Sequence, residues 1–70
     1  MNGIEKAIKF AGGMKPLAQA VGVSYEAVRQ WKHLGFVPQS STFDVEDFTG
    51  VSCFELNPNV YPIERFKKAS

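Results

Sequence analysis

The sequence contains few of the residues that disulfides, metal sites and membrane spans require. One cysteine and one histidine occur among 70 residues, so no internal disulfide can form and the usual four-ligand zinc site has too few ligands. No apolar run reaches the roughly 18 residues of a membrane span. The first residues also lack the basic and then apolar pattern of a signal peptide. We therefore expect a protein of the cytoplasm, without a membrane partner or a metal.

Signals for catalysis are absent from the sequence as well. It contains neither a glycine-rich phosphate loop nor a nucleophile paired with a base. Asp44, Glu46 and Asp47 lie close together, but no further ligand accompanies them, and a solvated helix start is the simpler interpretation. Cys53 is interpreted as a small, half-buried apolar residue. We predict no catalytic residues, no cofactor and no enzyme activity.

The length and the charge distribution limit what the chain can be. Seventy residues make one domain, which we place at residues 1–62, with residues 63–70 as a C-terminal tail. The net charge is only +1, but residues 1–35 carry five basic and two acidic residues, whereas residues 36–63 carry four acidic and no basic ones. A basic first half suits a molecule with one side facing a polyanion.

The first half of the chain has the spacing of three short helices. Each predicted helix begins at a residue type that favours a helix start and ends at a glycine. The predicted ranges are 3–11, 15–21 and 25–34. The start signals are an Asn2–Glu5 capping box, Pro16 in a first turn and Ser24 as an N-cap. The stop signals are Gly12, Gly22 and Gly35.

The second half can be interpreted in two ways. A helix that starts near Ser40 and ends at Gly50, followed by a short helix at 53–57 with a Ser52–Glu55 capping box, makes the fold all-α with five short helices. The alternation of apolar and polar residues around Phe43 instead suggests a β-hairpin within residues 40–62, which would make the fold α+β. The aspartates at 44 and 47 are poor strand formers, so the helical fold is favoured.

Residues 14–33 have the spacing of a helix-turn-helix motif. Ala18 is small where the second helix must cross closely, and Gly22 can make the turn between the helices. The residues expected to fill the wedge-shaped space between the two helices and the rest of the core are Leu17, Val21, Val23, Val28 and Trp31. The third helix is expected to point Ala27, Val28, Trp31 and Leu34 inward. Its other side then projects from the body, as reading of the major groove requires.

The outward side of the third helix carries residue types that can read base edges. Arg29 suits guanine, Gln30 suits adenine and Glu26 can accept a hydrogen bond from cytosine, although Glu26 could equally serve the helix dipole. The predicted base contacts are Ser24, Tyr25, Glu26, Arg29 and Gln30. The predicted phosphate contacts are Lys15, Gln19, Lys32 and Lys6. His33 is interpreted as a surface residue.

The motif also carries a family resemblance. The stretch 17–24, Leu-Ala-Gln-Ala-Val-Gly-Val-Ser, and the stretch 27–32, Ala-Val-Arg-Gln-Trp-Lys, resemble phage Cro-type repressors and the related YdaS-like prophage regulators. The likeness continues through Pro58-Asn59-Val60-Tyr61-Pro62 and covers about residues 3–62. It implies a lambda-repressor-like DNA-binding fold, phage or prophage origin, and a homodimer, weak in the absence of DNA, on double-stranded operator DNA in the bacterial host.

Three functions follow from this reasoning. The first is a sequence-specific transcriptional repressor that excludes polymerase from an operator. The second is a toxin-linked, antitoxin-like regulator with the same DNA chemistry. The third is a protein-binding module on a helix-turn-helix scaffold, which the low net charge of +1 favours. The apolar residues near the C-terminus either fold back onto the core or form a dimer contact, and these are Val60, Tyr61, Ile63 and Phe66.

Overall fold

The computed structural model describes residues 2–61, and every regular secondary-structure element within them is a helix. The helices are α1 Gly3–Ala11, α2 Met14–Val21, α3 Tyr25–Leu34, α4 Gln39–Thr49 and α5 Cys53–Leu56. The prediction of an all-α fold with five short helices is confirmed. The alternative with a β-hairpin within residues 40–62 is wrong. The predicted tail at 63–70 lies outside the described residues.

The predicted start signals operate at α1 and α3. In the capping box of α1, the amide of Glu5 donates to Asn2 Oδ1 at 2.9 Å and the amide of Asn2 donates to Glu5 Oε1 at 3.3 Å. At α3, Ser24 Oγ accepts from the amide of Ala27 at 3.2 Å. Helix α2 begins one residue before its predicted start, with Gly13 as an N-cap that provides no side chain.

One apolar core joins the helices. Helix α1 packs against all four other helices, and α2 packs against α1, α3 and α4. The buried apolar residues are Ile4, Ala7, Leu17, Ala18, Val28, Trp31, Val37, Val45 and Leu56. Val21 and Val23, which were expected in the wedge, are partly buried against this cluster. The core therefore contains the predicted inner residues of the motif.

The predicted inward orientation of Leu34 is wrong, since this residue is 50% exposed. Successive residues of an α-helix are rotated by about 100°. Leu34 is therefore rotated by roughly 120° from Val28, which is completely buried. The apolar side of α3 is narrower than the spacing of its hydrophobic residues suggested.

The linker between α3 and α4 is fastened to α5 around Val37. The amide of Val37 donates to the carbonyl oxygen of Leu56 at 2.8 Å. The carbonyl oxygen of Val37 accepts from Asn57 Nδ2 at 2.9 Å and from Thr42 Oγ1 at 3.2 Å. Within residues 2–61, every buried side-chain nitrogen or oxygen has a hydrogen-bond partner. The bonds of Val37 fasten α4 and the end of α5 to the linker that follows α3.

The predicted Ser52–Glu55 capping box is wrong, because Ser52 makes no side-chain cap. Contacts with other segments of the chain occupy the Glu55 carboxylate and the amide of Cys53. Glu55 Oε1 pairs with Lys6 Nζ at 2.8 Å. Glu46 Oε2 accepts from the amide of Cys53 at 2.7 Å. A carboxylate of α4 therefore caps α5 in place of a local side chain.

The apolar residues near the C-terminus divide between two surroundings. The ring of Tyr61 lies 5.5 Å from that of Phe43 on α4, measured between centroids, so this residue folds back onto the body. Val60 stays exposed. Ile63 and Phe66 lie outside the described residues. A second ring pair, Phe10 and Phe48, joins α1 to α4 at 5.7 Å.

Two leucines provide a matched test of this packing. Leu17→Ala removes a completely buried side chain and should lower the free energy of unfolding by about 2–5 kcal/mol. Leu34→Ala removes the same atoms from an exposed position and should cost less than about 1 kcal/mol. Urea titration followed by circular dichroism measures both. Equal losses for the two variants would show that the core is misassigned.

Gly3 provides a second test, at the point where α1 meets α5. A Cβ atom there would lie 2.7 Å from the backbone nitrogen of Leu56 and would overlap the carbonyl oxygen of Glu55. Alanine normally favours a helix over glycine by about 1 kcal/mol. Because the helices would have to separate, Gly3→Ala should instead destabilise by about 1–3 kcal/mol. A higher urea midpoint in the variant would contradict the close approach.

Candidate nucleic-acid interface

Helix α3 has one buried side and one exposed side. Val28 is completely buried and Trp31 is only 5% exposed, so the inner side of the helix is held in the core. The residues predicted to contact bases are all exposed, and these are Ser24, Tyr25, Glu26, Arg29 and Gln30. Four of them, together with Lys32 and His33, line one open depression; Tyr25 is the exception. The structure thus brings the predicted set onto one accessible side of a helix.

The exposed side of α3 contains an ion pair that was not among the predictions from sequence. Arg29 Nη1 lies 3.0 Å from Glu26 Oε2, and the two side chains are 64% and 73% exposed. Opposite charges three residues apart on a helix are neighbours, so the spacing was a usable signal. Solvent-exposed pairs contribute only about 0–1 kcal/mol to stability. The pair therefore matters more for where the guanidinium points than for the fold.

The start of α2 has neither a side-chain cap nor a negative charge. Free amides and the helix dipole favour negative charge at such a position. Lys15 lies in this turn, and both Lys15 and Gln19 are exposed. Two of the predicted phosphate contacts are therefore accessible on the same helix.

The remaining lysines differ in what they contact. Lys6 is already paired with Glu55 at 2.8 Å, so a phosphate would have to compete with that carboxylate. Lys9, which was not among the predicted contacts, lines a small depression together with Lys32, Ile8 and the acidic Glu5. This depression lies where α1 meets α3. Lys9 and Lys32 therefore lie near each other on this side of the molecule.

Cys53 and the acidic residues do not form a second site. Partial burial raises the pKa of the Cys53 thiol, and the nearby Glu46 carboxylate raises it further. The thiol is therefore protonated at neutral pH, which makes it a weak nucleophile. Residues 2–61 include no group of three or more side chains that could hold a metal ion. No helix in that range has the length and apolar character to cross a membrane.

The sequence also matches a family model, described as Bacterial toxin YdaS, over residues 4–64. This match covers most of the chain. The protein belongs to the YdaS family. No protein with curated function matches the sequence.

Two solved structures are similar to this YdaS family member. The Cro protein from prophage element Xfaso 1 of Xylella fastidiosa strain Ann-1 is 39% identical, with 86% of this chain and 95% of that chain covered and a TM-score of 0.80. A hybrid of Xfaso 1 and Pfl 6, two Cro proteins with different folds, is 40% identical, with 71% and 77% covered and a TM-score of 0.61. The predicted resemblance to Cro-like prophage regulators is confirmed, and with it a DNA-binding regulator as the general class of this YdaS protein.

Proposed function

We propose that the protein is a sequence-specific transcriptional repressor of phage or prophage origin. It acts in the bacterial cytoplasm, without a cofactor and without catalysis, by occupying an operator and excluding polymerase. One observation carries this proposal. The inner side of α3 is buried through Val28 and Trp31, while every predicted base-reading residue on its other side is exposed. Such a helix can lie along the major groove while the rest of the domain stays outside it.

The chemistry of the exposed side suits direct readout. Arg29 can bond bidentately to guanine, Gln30 bidentately to adenine, and Glu26 can accept from the amino group of cytosine. Tyr25 presents a ring to a thymine methyl group and a hydroxyl to a phosphate. Ser24 Oγ already accepts from an amide of its own helix, but its hydroxyl proton remains free to be donated.

Contacts to phosphates would fix the position of the domain on the duplex. Lys15 and Gln19 on α2, together with the uncapped amides at its start, would hold one phosphate. Lys32, near the C-terminal end of α3, would hold a second phosphate. Lys6 is the weakest of the predicted phosphate contacts, since it must first leave Glu55.

Two copies of the protein would bind one operator. Half-sites about 34–36 Å apart present the same groove to two recognition helices, so the operator would be nearly palindromic. A chain of 70 residues has a small core, and small domains often gain stability from a partner. The exposed aromatic side chains on α1 and α4 offer apolar surface for such a contact, and these are Phe10, Phe43 and Phe48.

The family description, Bacterial toxin YdaS, favours a second candidate function, a toxin-linked regulator that binds DNA by the same chemistry and is itself toxic, in place of the antitoxin-like role expected from the sequence. Induced expression in a bacterial host, with growth as the readout, separates the two candidates. A repressor should leave growth unchanged. Growth arrest that the Arg29→Ala/Gln30→Ala double variant abolishes would favour the toxin-linked regulator. Arrest that persists in the double variant would point to toxicity independent of DNA.

Substitution of the base-reading residues tests the proposed site. Arg29→Ala or Gln30→Ala should weaken binding to a duplex selected from a random pool by about 1–3 kcal/mol, a loss of roughly 5- to 160-fold. Base preference should relax at one position in each case. Fluorescence anisotropy titration gives the affinity, and selection repeated with each variant gives the preference. Leu34→Ala, on the same helix but outside the set, is the control and should bind normally.

An unchanged affinity and preference in both variants would show that α3 is not the reading helix. Failure of the unsubstituted protein to bind any duplex at low salt would contradict DNA binding itself. That second result would favour the protein-binding module, whose partner surface could still be α3.

Lysine substitutions test the phosphate contacts separately. Lys15→Ala should weaken binding to all sequences by the same factor and reduce the slope of log affinity against log salt by about one. Lys6→Ala removes the same charge from a residue already paired with Glu55, and it should change the slope less. Titrations at several salt concentrations measure both slopes. A change of base preference in Lys15→Ala would contradict a backbone contact.

A further inference from the structure

Glu26 is the only acidic residue between Glu5 and Asp44. It lies on the exposed side of α3, beside Arg29 at 3.0 Å. The other charged residues of this stretch are cations, Lys6, Lys9, Lys15, Arg29 and Lys32. A carboxylate in the middle of a surface meant for a polyanion repels phosphates. Its presence there calls for a physical reason.

Helix stability does not supply that reason. Exposed ion pairs contribute about 0–1 kcal/mol, and the pair of Glu26 and Arg29 is largely exposed. An acid in the first turn favours the helix dipole, but α3 is already capped by Ser24. An uncharged glutamine at this position would cost the fold little and would strengthen attraction to any DNA.

We propose that Glu26 is the specificity-determining residue of the interface, an inference that rests on the proposed DNA-reading function. Glu26 holds the Arg29 guanidinium away from phosphates. It accepts a hydrogen bond from cytosine only at the correct operator sequence. The carboxylate occupies one end of the guanidinium, so Arg29 cannot reach freely towards the backbone. Where a guanine faces Arg29 and a cytosine amino group faces Glu26, every donor and acceptor finds a partner.

Incorrect sequences are penalised by the same carboxylate. If a base edge presents an acceptor instead of the cytosine amino group, Glu26 loses water without gaining a hydrogen bond, which costs free energy. Specificity obtained by excluding wrong partners is a common property of selective interfaces. Glu26 therefore lowers affinity for unrelated DNA more than it lowers affinity for the operator.

Three variants and two duplexes test this role. The duplexes are one selected by the unsubstituted protein from a random pool and one of scrambled sequence with the same composition. Glu26→Gln should bind the scrambled duplex roughly tenfold more tightly, with a salt slope steeper by about one, because Arg29 is released to a phosphate. The ratio of the two affinities should fall by roughly tenfold or more. Asp47→Asn on α4 makes the same change of charge at an exposed residue and should leave the ratio unchanged.

The Glu26→Asp variant distinguishes a role of Glu26 in positioning Arg29 from a purely structural role of its negative charge. Aspartate keeps the negative charge that serves the helix dipole and can still pair with Arg29, but its side chain is one methylene group shorter, so it holds the guanidinium in a different position. This variant should retain weak binding to the scrambled duplex and lose affinity for the selected duplex by roughly fivefold or more. Thermal unfolding by circular dichroism establishes that each variant is folded at the temperature of the titrations.

The outcomes distinguish this inference from the proposed function. If the unsubstituted protein prefers its selected duplex but Glu26→Gln behaves like Asp47→Asn, the role of Glu26 is overturned while DNA reading stands. Normal preference in Glu26→Asp would overturn the positioning of Arg29. If the unsubstituted protein shows no preference between the two duplexes, the proposed function fails, and the role of Glu26 fails with it.

Discussion

The packing of α3 against the core determines where its outer side lies. Val28 and Trp31 are buried in the same cluster as Leu17 and Ala18 of α2, and Gly22 makes the turn between the two helices with φ of 76°. A side chain with a Cβ atom resists that backbone conformation. Because the inner side of the helix is held at several points, the residues on the outer side keep fixed relative positions. Direct readout of several neighbouring bases depends on this constraint.

The first three helices could be predicted from sequence because their signals are local. The Asn2–Glu5 capping box and the Ser24 N-cap each act within a few residues. The state of residues 40–62 is not decided locally, since alternation around Phe43 also suits a strand. In the folded protein this half is held together by bonds from Val37 to Leu56 and Asn57, about twenty residues away. These contacts exist only once the chain has folded, so the sequence favoured a helix without excluding a hairpin.

The candidate site shows the same division between local and distant effects. Exposure of the residues predicted to contact bases followed from helical spacing, which is why they could be predicted as a group. The pairing of Lys6 with Glu55 spans 49 residues and displaced a local capping box that looked equally reasonable. Leu34 was misplaced because spacing gives the direction of a side chain but not the width of the surface that covers it. The ion pair of Glu26 and Arg29 on α3 joins residues close in sequence, but it was not predicted. Each charge already had another interpretation, since Arg29 was expected to contact guanine and Glu26 to contact cytosine or to serve the helix dipole.

Charge separation explains how a protein with a net charge of +1 can face DNA. Glu46 and Glu55 are occupied by a backbone amide and by Lys6. Asp44 and Asp47 are exposed on α4, a helix that packs against α1, α2 and α5. The motif itself is left with one acidic residue among several cations. Local charge, and not the total, sets the attraction to a phosphate backbone. That attraction is modest with so few cations, so tight binding of such a domain to DNA would have to come largely from contacts to bases.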